Sequence, residues 1–210
     1  MIFGLFSKSR GVNMETLLKL PIYDTSQLES LSVGDLVYIE GIVVTLRDLG
    51  HRRALEYLRK GIPLPIDLRG LAVFHAGPIA VKRGNQWNIV SIGPTTSARM
   101  DQYVYELIAR TGVRIIIGKG GMGLNARRAC RDHRAIYVEL VGGTASLITK
   151  SIVEVVDVYW TDLGIPEAMW VLKVQRLGPA IIVIDTKGND LHEDVMKKAE
   201  QEYKKIIQSI

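Results

Sequence analysis

Residues 113–123 read Val113-Arg114-Ile115-Ile116-Ile117-Gly118-Lys119-Gly120-Gly121-Met122-Gly123. Val113–Ile117 is a short, β-branched apolar run, which predicts a buried strand. The glycines stop it, Leu124–His133 carries helical spacing, and Ala135–Leu140 reads as strand again. A strand, tight turn, helix and strand in succession predict a βαβ unit and a mixed α/β class. Gly118, Gly120 and Gly123 also spell G-x-G-x-x-G, with Glu139 about 20 residues further on, the written form of a dinucleotide-binding fingerprint. A nicotinamide-cofactor oxidoreductase is therefore one reading. Two features weigh against it: only one βαβ unit is evident, and Lys119 places a compact positive charge on the turn itself. The turn is not a P-loop, because Gly120 stands where Ser or Thr would follow the lysine.

Outward from this unit, the remaining pattern is dense in strands. Glu15–Tyr23 predicts a short strand, and Leu36–Thr45 a β-branched strand with a bulge at Gly41. Asp48–Gly61 has near-helical spacing and is stopped by Gly61 and Pro63. Leu71–His75, Ile79–Lys82 and Trp87–Ile92 predict strands, and Thr95–Arg110 a helix with Met100, Tyr103, Val104 and Leu107 on one face. Ser146–Val156 mixes helical and strand signals. Val171–Leu177 and Ile181–Asp185 predict two further strands, and Glu193–Ile210 an amphipathic, lysine-rich helix. No repeat or linker divides the chain. One domain over residues 14–210 is expected, after a leader over residues 1–13 that is expected to be disordered, with Met14 as an alternative start.

The 210 residues are 47% hydrophobic and 23% charged, an ordinary globular balance that argues against disorder. A single cysteine, Cys130, excludes an intrachain disulfide framework, and also an iron–sulfur cluster held by this chain alone. No metal site is expected on the chain. Neither a signal peptide nor a membrane span is legible, and a cytoplasmic protein is expected. The net charge of +5 suits any anionic partner. Nucleic acid ranks last, because no stacking aromatics interleave the basic clusters.

Three polar clusters concentrate the chemistry. Arg47-Asp48-x-x-His51 follows a strand, where α/β folds gather ligand sites. Asp48 is expected to cap the following helix. For His51, a buried structural role and a functional one weigh about evenly. Gly93-Pro94-Thr95-Thr96-Ser97-Ala98-Arg99-Met100-Asp101 delivers three hydroxyls and a forked cation at a predicted helix start. Arg99 at i+4 from Thr95 would share its helix face. Gly118-Lys119-Gly120-Gly121 is the third. If Arg47, Arg99 and Lys119 converge, a dicarboxylate is the natural ligand.

Together with Ala76-Gly77-Pro78, these motifs resemble the β subunit of class I fumarate hydratases and L-tartrate dehydratases. Leu163-Gly-Ile-Pro-Glu-Ala-Met-Trp170, Val174 and Asp185-x-x-Gly188 are similar to the same family's C-terminal signature. The resemblance spans about residues 15 to 192, and the G-P-T-T-S-x-R-M-D run is its most specific part.

It implies a single swivelling β/β/α domain and a hydro-lyase active only with an α subunit. That subunit would carry a [4Fe–4S] cluster, in a hetero-oligomer with two of each chain. Reversible hydration of fumarate to L-malate is the activity implied first, and dehydration of L-tartrate the alternative. The family's substrate-binding positions fall on Arg47, Thr95, Arg99 and Lys119, with Thr96, Gly118 and Gly120 beside them. Thr95, Lys119 and His51 are the catalytic candidates. Thr95 is a candidate proton-transfer group that needs activation, since a free hydroxyl is a poor base.

Overall fold

A computed structural model describes residues 15–84 and 86–208. The leader and the alternative start at Met14 lie outside the described residues. The elements run β1 (Thr16–Lys19), α1 (Ser26–Glu29), β2 (Leu36–Thr45), α2 (Asp48–Arg59), β3 (Ala72–Phe74), β4 (Ile79–Arg83) and β5 (Gln86–Ser91). After a 3-10 turn at Ser97–Met100 come α3 (Asp101–Thr111), β6 (Ile115–Gly118), α4 (Leu124–His133), β7 (Ile136–Glu139), α5 (Ala145–Lys150) and β8 (Ile152–Tyr159). A second 3-10 turn at Thr161–Leu163 leads to β9 (Met169–Ile184) and α6 (Leu191–Gln208).

Seven strands form one mixed sheet in the order β1-β2-β3-β6-β7-β9-β8, and β4 and β5 form a separate hairpin. β1, β2, β3, β6 and β7 run parallel to one another. β9 is antiparallel to β7, β8 and β2 at once. The pairing of β9 with β2 closes β2, β3, β6, β7 and β9 into a ring.

The period-two alternation of strand side chains sorts the apolar residues onto two faces. Ala72 and Phe74, Ile115 and Ile117, and Ile136 and Val138 join Trp170 and Leu172 of β9 in one buried cluster. Their neighbours Val73, Ile116 and Tyr137 turn the other way, under α2, α3 and α4, against Leu55, Val104, Leu107, Ala129 and Cys130. Each large apolar side chain removed from water in this way contributes about 1.5–3 kcal/mol. No described helix is long and apolar enough to cross a membrane.

The structure corrects two local expectations. The helix predicted from Thr95 begins later: Thr95 and Thr96 precede a 3-10 turn, and regular α-helix starts at Asp101. The two strands expected over 171–185 are one strand, Met169–Ile184. Gly178 and Pro179 read as a break, yet β9 runs through them along β2 with a shifted register. A side chain at Gly178 would lie 2.8 Å from the Val37 carbonyl oxygen, so glycine permits the close approach of the two strands.

Candidate functional site

The parallel strands β2, β3 and β6 end together, and the residues that follow them carry the polar clusters. Arg47 follows β2 and directly precedes α2. Its Nε lies 3.3 Å from Glu167 Oε1. The other Glu167 oxygen accepts the Leu49 N–H at 2.8 Å. Glu167 therefore does the helix-capping work expected of Asp48 and holds Arg47 at the same time. Thr45 fixes this arrangement: its Oγ1 accepts the Trp170 N–H at 3.1 Å and donates to the Ala168 carbonyl at 3.3 Å. Gly77 explains the Ala76-Gly77-Pro78 motif. A Cβ there would lie 2.4 Å from the Pro166 carbonyl oxygen and 2.8 Å from the Arg47 guanidinium.

Asp48 turns instead toward Arg99. The guanidinium reaches both carboxylate oxygens, Nε to Oδ1 at 3.2 Å and Nη2 to Oδ2 at 3.1 Å. The Arg99 hydrogen bond holds the Asp48 carboxyl below its ordinary range. This pair ties the first motif to the second. The second meets the third through the backbone: Thr96 bridges Lys119, and Ser97 N–H donates to the Lys119 carbonyl at 3.0 Å. Arg47, Thr95, Thr96, Arg99 and Lys119 are thus brought to one rim. The charge count is smaller than the sequence implies, because Glu167 and Asp48 offset two of the three cations. Among the described residues Lys119 has no carboxylate within ion-pair distance, and it supplies the unbalanced charge.

The glycine fingerprint has a different physical basis from a dinucleotide site. Asp101 Oδ1 accepts the N–H groups of Gly123 at 2.8 Å and Ala126 at 3.0 Å, and Oδ2 accepts Asn125 Nδ2 at 3.1 Å. A carboxylate thus occupies the start of α4, where a pyrophosphate would sit in a Rossmann domain. A Cβ at Gly123 would lie 2.6 Å from Asp101 Oδ2, and one at Gly118 only 1.8 Å from Ser97 Oγ. Gly118 is buried against the protein rather than presented at the rim. Gly120 is exposed, with φ +71°, and a Cβ added there would meet nothing within 4 Å. Tyr137 Oη donates to its carbonyl at 2.6 Å and fixes the turn. Glu139, the acidic residue of the fingerprint, pairs with His192 Nε2 at 3.2 Å.

Behind the rim lie two fully buried histidines, His51 and His75. Their ring centroids are 5.1 Å apart, edge to face. His51 Nδ1 lies 2.9 Å from the Arg47 carbonyl, which only accepts, so Nδ1 carries the proton. Burial pushes His51 down to about 4 from 6.5, and it pushes His75 well below its ordinary value, helped by His51 and Arg99. Both rings are neutral at physiological pH. His75 Nδ1 meets Ser97 Oγ at 2.9 Å. The buried atoms His51 Nε2, His75 Nε2 and Thr95 Oγ1 have no hydrogen-bond partner.

The sequence reading counted Ser97 among three hydroxyls of the site but missed His75, Tyr137 and Glu167. His75 sits beside the Ala76-Gly77-Pro78 motif, and Glu167 inside the Leu163–Trp170 signature; those positions were the available signals. A cleft of about 570 Å³ lies elsewhere, between β5 and β8. None of the rim residues lines it, and the convergence of charged and hydroxyl groups makes the rim the stronger candidate.

The fold and rim define a mixed α/β domain whose parallel strands end in a cationic, hydroxyl-bearing edge. Comparison with known proteins narrows the class. The family described as Fumarase C-terminus matches residues 7–195. The L(+)-tartrate dehydratase subunit beta of Escherichia coli (strain K12) is 42% identical over 94% of this chain and 96% of its own length. A putative L(+)-tartrate dehydratase subunit beta of Methanocaldococcus jannaschii is 41% identical over 86% of this chain and 93% of its own. A putative class I fumarate hydratase of Geobacillus stearothermophilus is 37% identical over 87% of this chain but 34% of its own. The chain belongs to the Fumarase C-terminus family, as the β-subunit type found in L-tartrate dehydratases and class I fumarate hydratases.

Proposed function

We propose that the chain is the β subunit of a cytoplasmic hydro-lyase that adds water to, or removes it from, a four-carbon dicarboxylate. The observation that carries this reading is the meeting of three motifs: Asp48 joins Arg99, and Ser97 joins Lys119. Fumarate and L-malate are the substrate pair. In the dehydration direction the C3 proton of malate leaves by way of Thr95, the electron pair of the broken C3–H bond spreads into the adjacent carboxylate, and it then forms the C2–C3 double bond as hydroxide departs from C2. Cations fixed beside that carboxylate stabilise the developing charge. Lys119 supplies a compact charge there, while Arg99 and Arg47, held by Asp48 and Glu167, orient the substrate. Thr95 positions or relays the proton, a carboxylate of the α subunit shares the proton work, and Thr96 adds a hydroxyl contact. His51 is fully buried behind Arg47 and acts by positioning rather than contact.

The iron–sulfur cluster implied by the family resemblance does not fit this chain. Cys130 is its sole cysteine and is buried, with burial pushing its thiol upward. The described residues also hold no group of three or more His, Cys, Asp or Glu side chains placed for a metal ion. We therefore assign the cluster to an α subunit, in a hetero-oligomer with two of each chain. The swivelling β/β/α domain class belongs to the same reading.

L-tartrate dehydration is the second reading. Two relatives with that name match over more than nine-tenths of their own length, whereas the fumarate hydratase relative matches over a third of its own. The test is co-expression with the α subunit and anaerobic assay on fumarate, L-malate and both tartrate enantiomers. Turnover by the complex, none by the β subunit alone, and loss in Thr95→Ala but not Thr95→Ser are expected. A complex that turns over none of the four would overturn the reading.

A further inference from the structure

The two buried histidines and Thr95 make a set of complementary unpaired groups. The Ser97 hydroxyl also faces Tyr137, and Tyr137 Oη itself donates to the Gly120 carbonyl. With its own proton committed there, Tyr137 accepts from Ser97, so Ser97 accepts from His75. The chain then runs in one direction: His75 Nδ1–H to Ser97, Ser97 to Tyr137, Tyr137 to Gly120. It leaves His75 Nε2 as a bare lone pair. The Arg47 carbonyl does the same for His51. Two neutral imidazoles thus present two acceptors and no donor.

Thr95 stands next to them. Its N–H donates to the His75 carbonyl at 2.7 Å. Thr96 is extended, with φ −60° and ψ 117°, so the side chains of Thr95 and Ser97 leave on the same side. Ser97 already touches His75, and Thr95 Oγ1 is a buried hydroxyl without a partner. An anion is excluded from such a pocket because it offers only more acceptors. A water molecule matches it: two hydrogens for two lone pairs, and one oxygen lone pair for the Thr95 hydroxyl.

We propose that His51 Nε2, His75 Nε2 and Thr95 Oγ1 form a buried site for one water molecule, which draws the Thr95 hydroxyl proton inward and turns the free lone pairs of Oγ1 toward the cationic rim. His51 and His75 are then positioning residues for Thr95. The consequence for the reaction rests on the hydro-lyase reading, but the water site does not. Buried unpaired polar groups are costly, and this arrangement satisfies all three.

The test uses the complex co-expressed with its α subunit. A high-resolution crystal structure is expected to show a water within hydrogen-bond distance of all three atoms; a dry pocket or a metal ion there overturns the site. His75→Asn keeps an amide donor for Ser97 and removes the outer lone pair. It is expected to lower kcat at least tenfold with KM within twofold. Ser97→Ala leaves the imidazole in place but frees its tautomer, and is expected to lower kcat as well. The double variant should be no worse than His75→Asn alone. Unchanged kcat in the folded single variants overturns the positioning role, and if His75→Asn does not fold, Ser97→Ala alone decides it. A wild-type complex inactive on all four dicarboxylates defeats the hydro-lyase reading, while the crystallographic water is judged independently of turnover.

Discussion

Gly118→Ala is the sharpest probe of how the glycine turn is built. A Cβ at that position would lie 1.8 Å from Ser97 Oγ, 3.1 Å from Ser97 Cβ and 3.3 Å from His75 Nδ1. The serine is fully buried, so its hydroxyl must rotate away from His75 and its Cβ must still yield a few tenths of an ångström. A hydrogen bond removed so that a buried partner is left unpaired costs about 1–3 kcal/mol, and overpacking about as much again. Taking about 3 kcal/mol for the whole, the melting midpoint of a chain this size falls by roughly 6–12 °C. Gly120→Ala is the control. Nothing lies near its added Cβ, and only the φ of +71° is strained, about 1 kcal/mol or 2–4 °C. Both variants are melted by calorimetry in the co-expressed complex. If Gly118→Ala melts within 2 °C of the wild type, or above Gly120→Ala, the packing account of the fingerprint is wrong. A cofactor-binding account of the same glycines predicts no such ranking.

Other expectations follow from the same geometry. Asp101→Ala removes the acceptor for three donors at the start of α4 and should cost about 1–2 kcal/mol, read as a thermal midpoint lowered by roughly 3–6 °C. Lys119→Ala should raise KM for the dicarboxylate at least tenfold while leaving the midpoint within 2 °C, and an unchanged KM would remove Lys119 from the site. Acid should weaken the fold through His51. Its folded-state value near 4 lies below the ordinary 6.5, so its stability is complete above pH 6.5 and is lost as pH falls toward 4. That amounts to roughly 3 kcal/mol over the window. His75 adds in the same direction, and a thermal midpoint that is flat between pH 6.5 and 4.5 would contradict the neutral, buried pair.

Local pattern revealed what local physics decides. Leu36–Thr45 and Leu124–His133 have the bounds that their β-branched run and helical spacing predict. Gly41 has φ +120° beside a register shift, the expected bulge. The motif that names the family is contiguous, so it was legible too, and the comparisons bear that resemblance out. What escaped reading depends on partners far away in the chain. Glu167 meets Leu49 across 118 residues, and no spacing rule connects them. Asp101 stands in the first turn of its own helix, yet its ligands are N–H groups at the start of the next one. Asp48 sits at a helix start and reads as a cap, yet Arg99, 51 residues on, competes for it and wins. His75 reads only as the last residue of a short strand, and the fold alone places its ring against His51.

The order of synthesis gives the β2–β9 closure a further meaning. A ribosome releases Leu36–Thr45 long before the strand that seals it, Met169–Ile184. Until then β2 has an open edge and Arg47 has no Glu167. A nascent or truncated chain ending before residue 167 therefore contains every cation of the rim but cannot hold them in register, and long-range pairing of this kind forms slowly. The last fifth of the chain therefore completes the rim: without it β2 keeps an unpaired edge and Arg47 lacks the carboxylate that holds it.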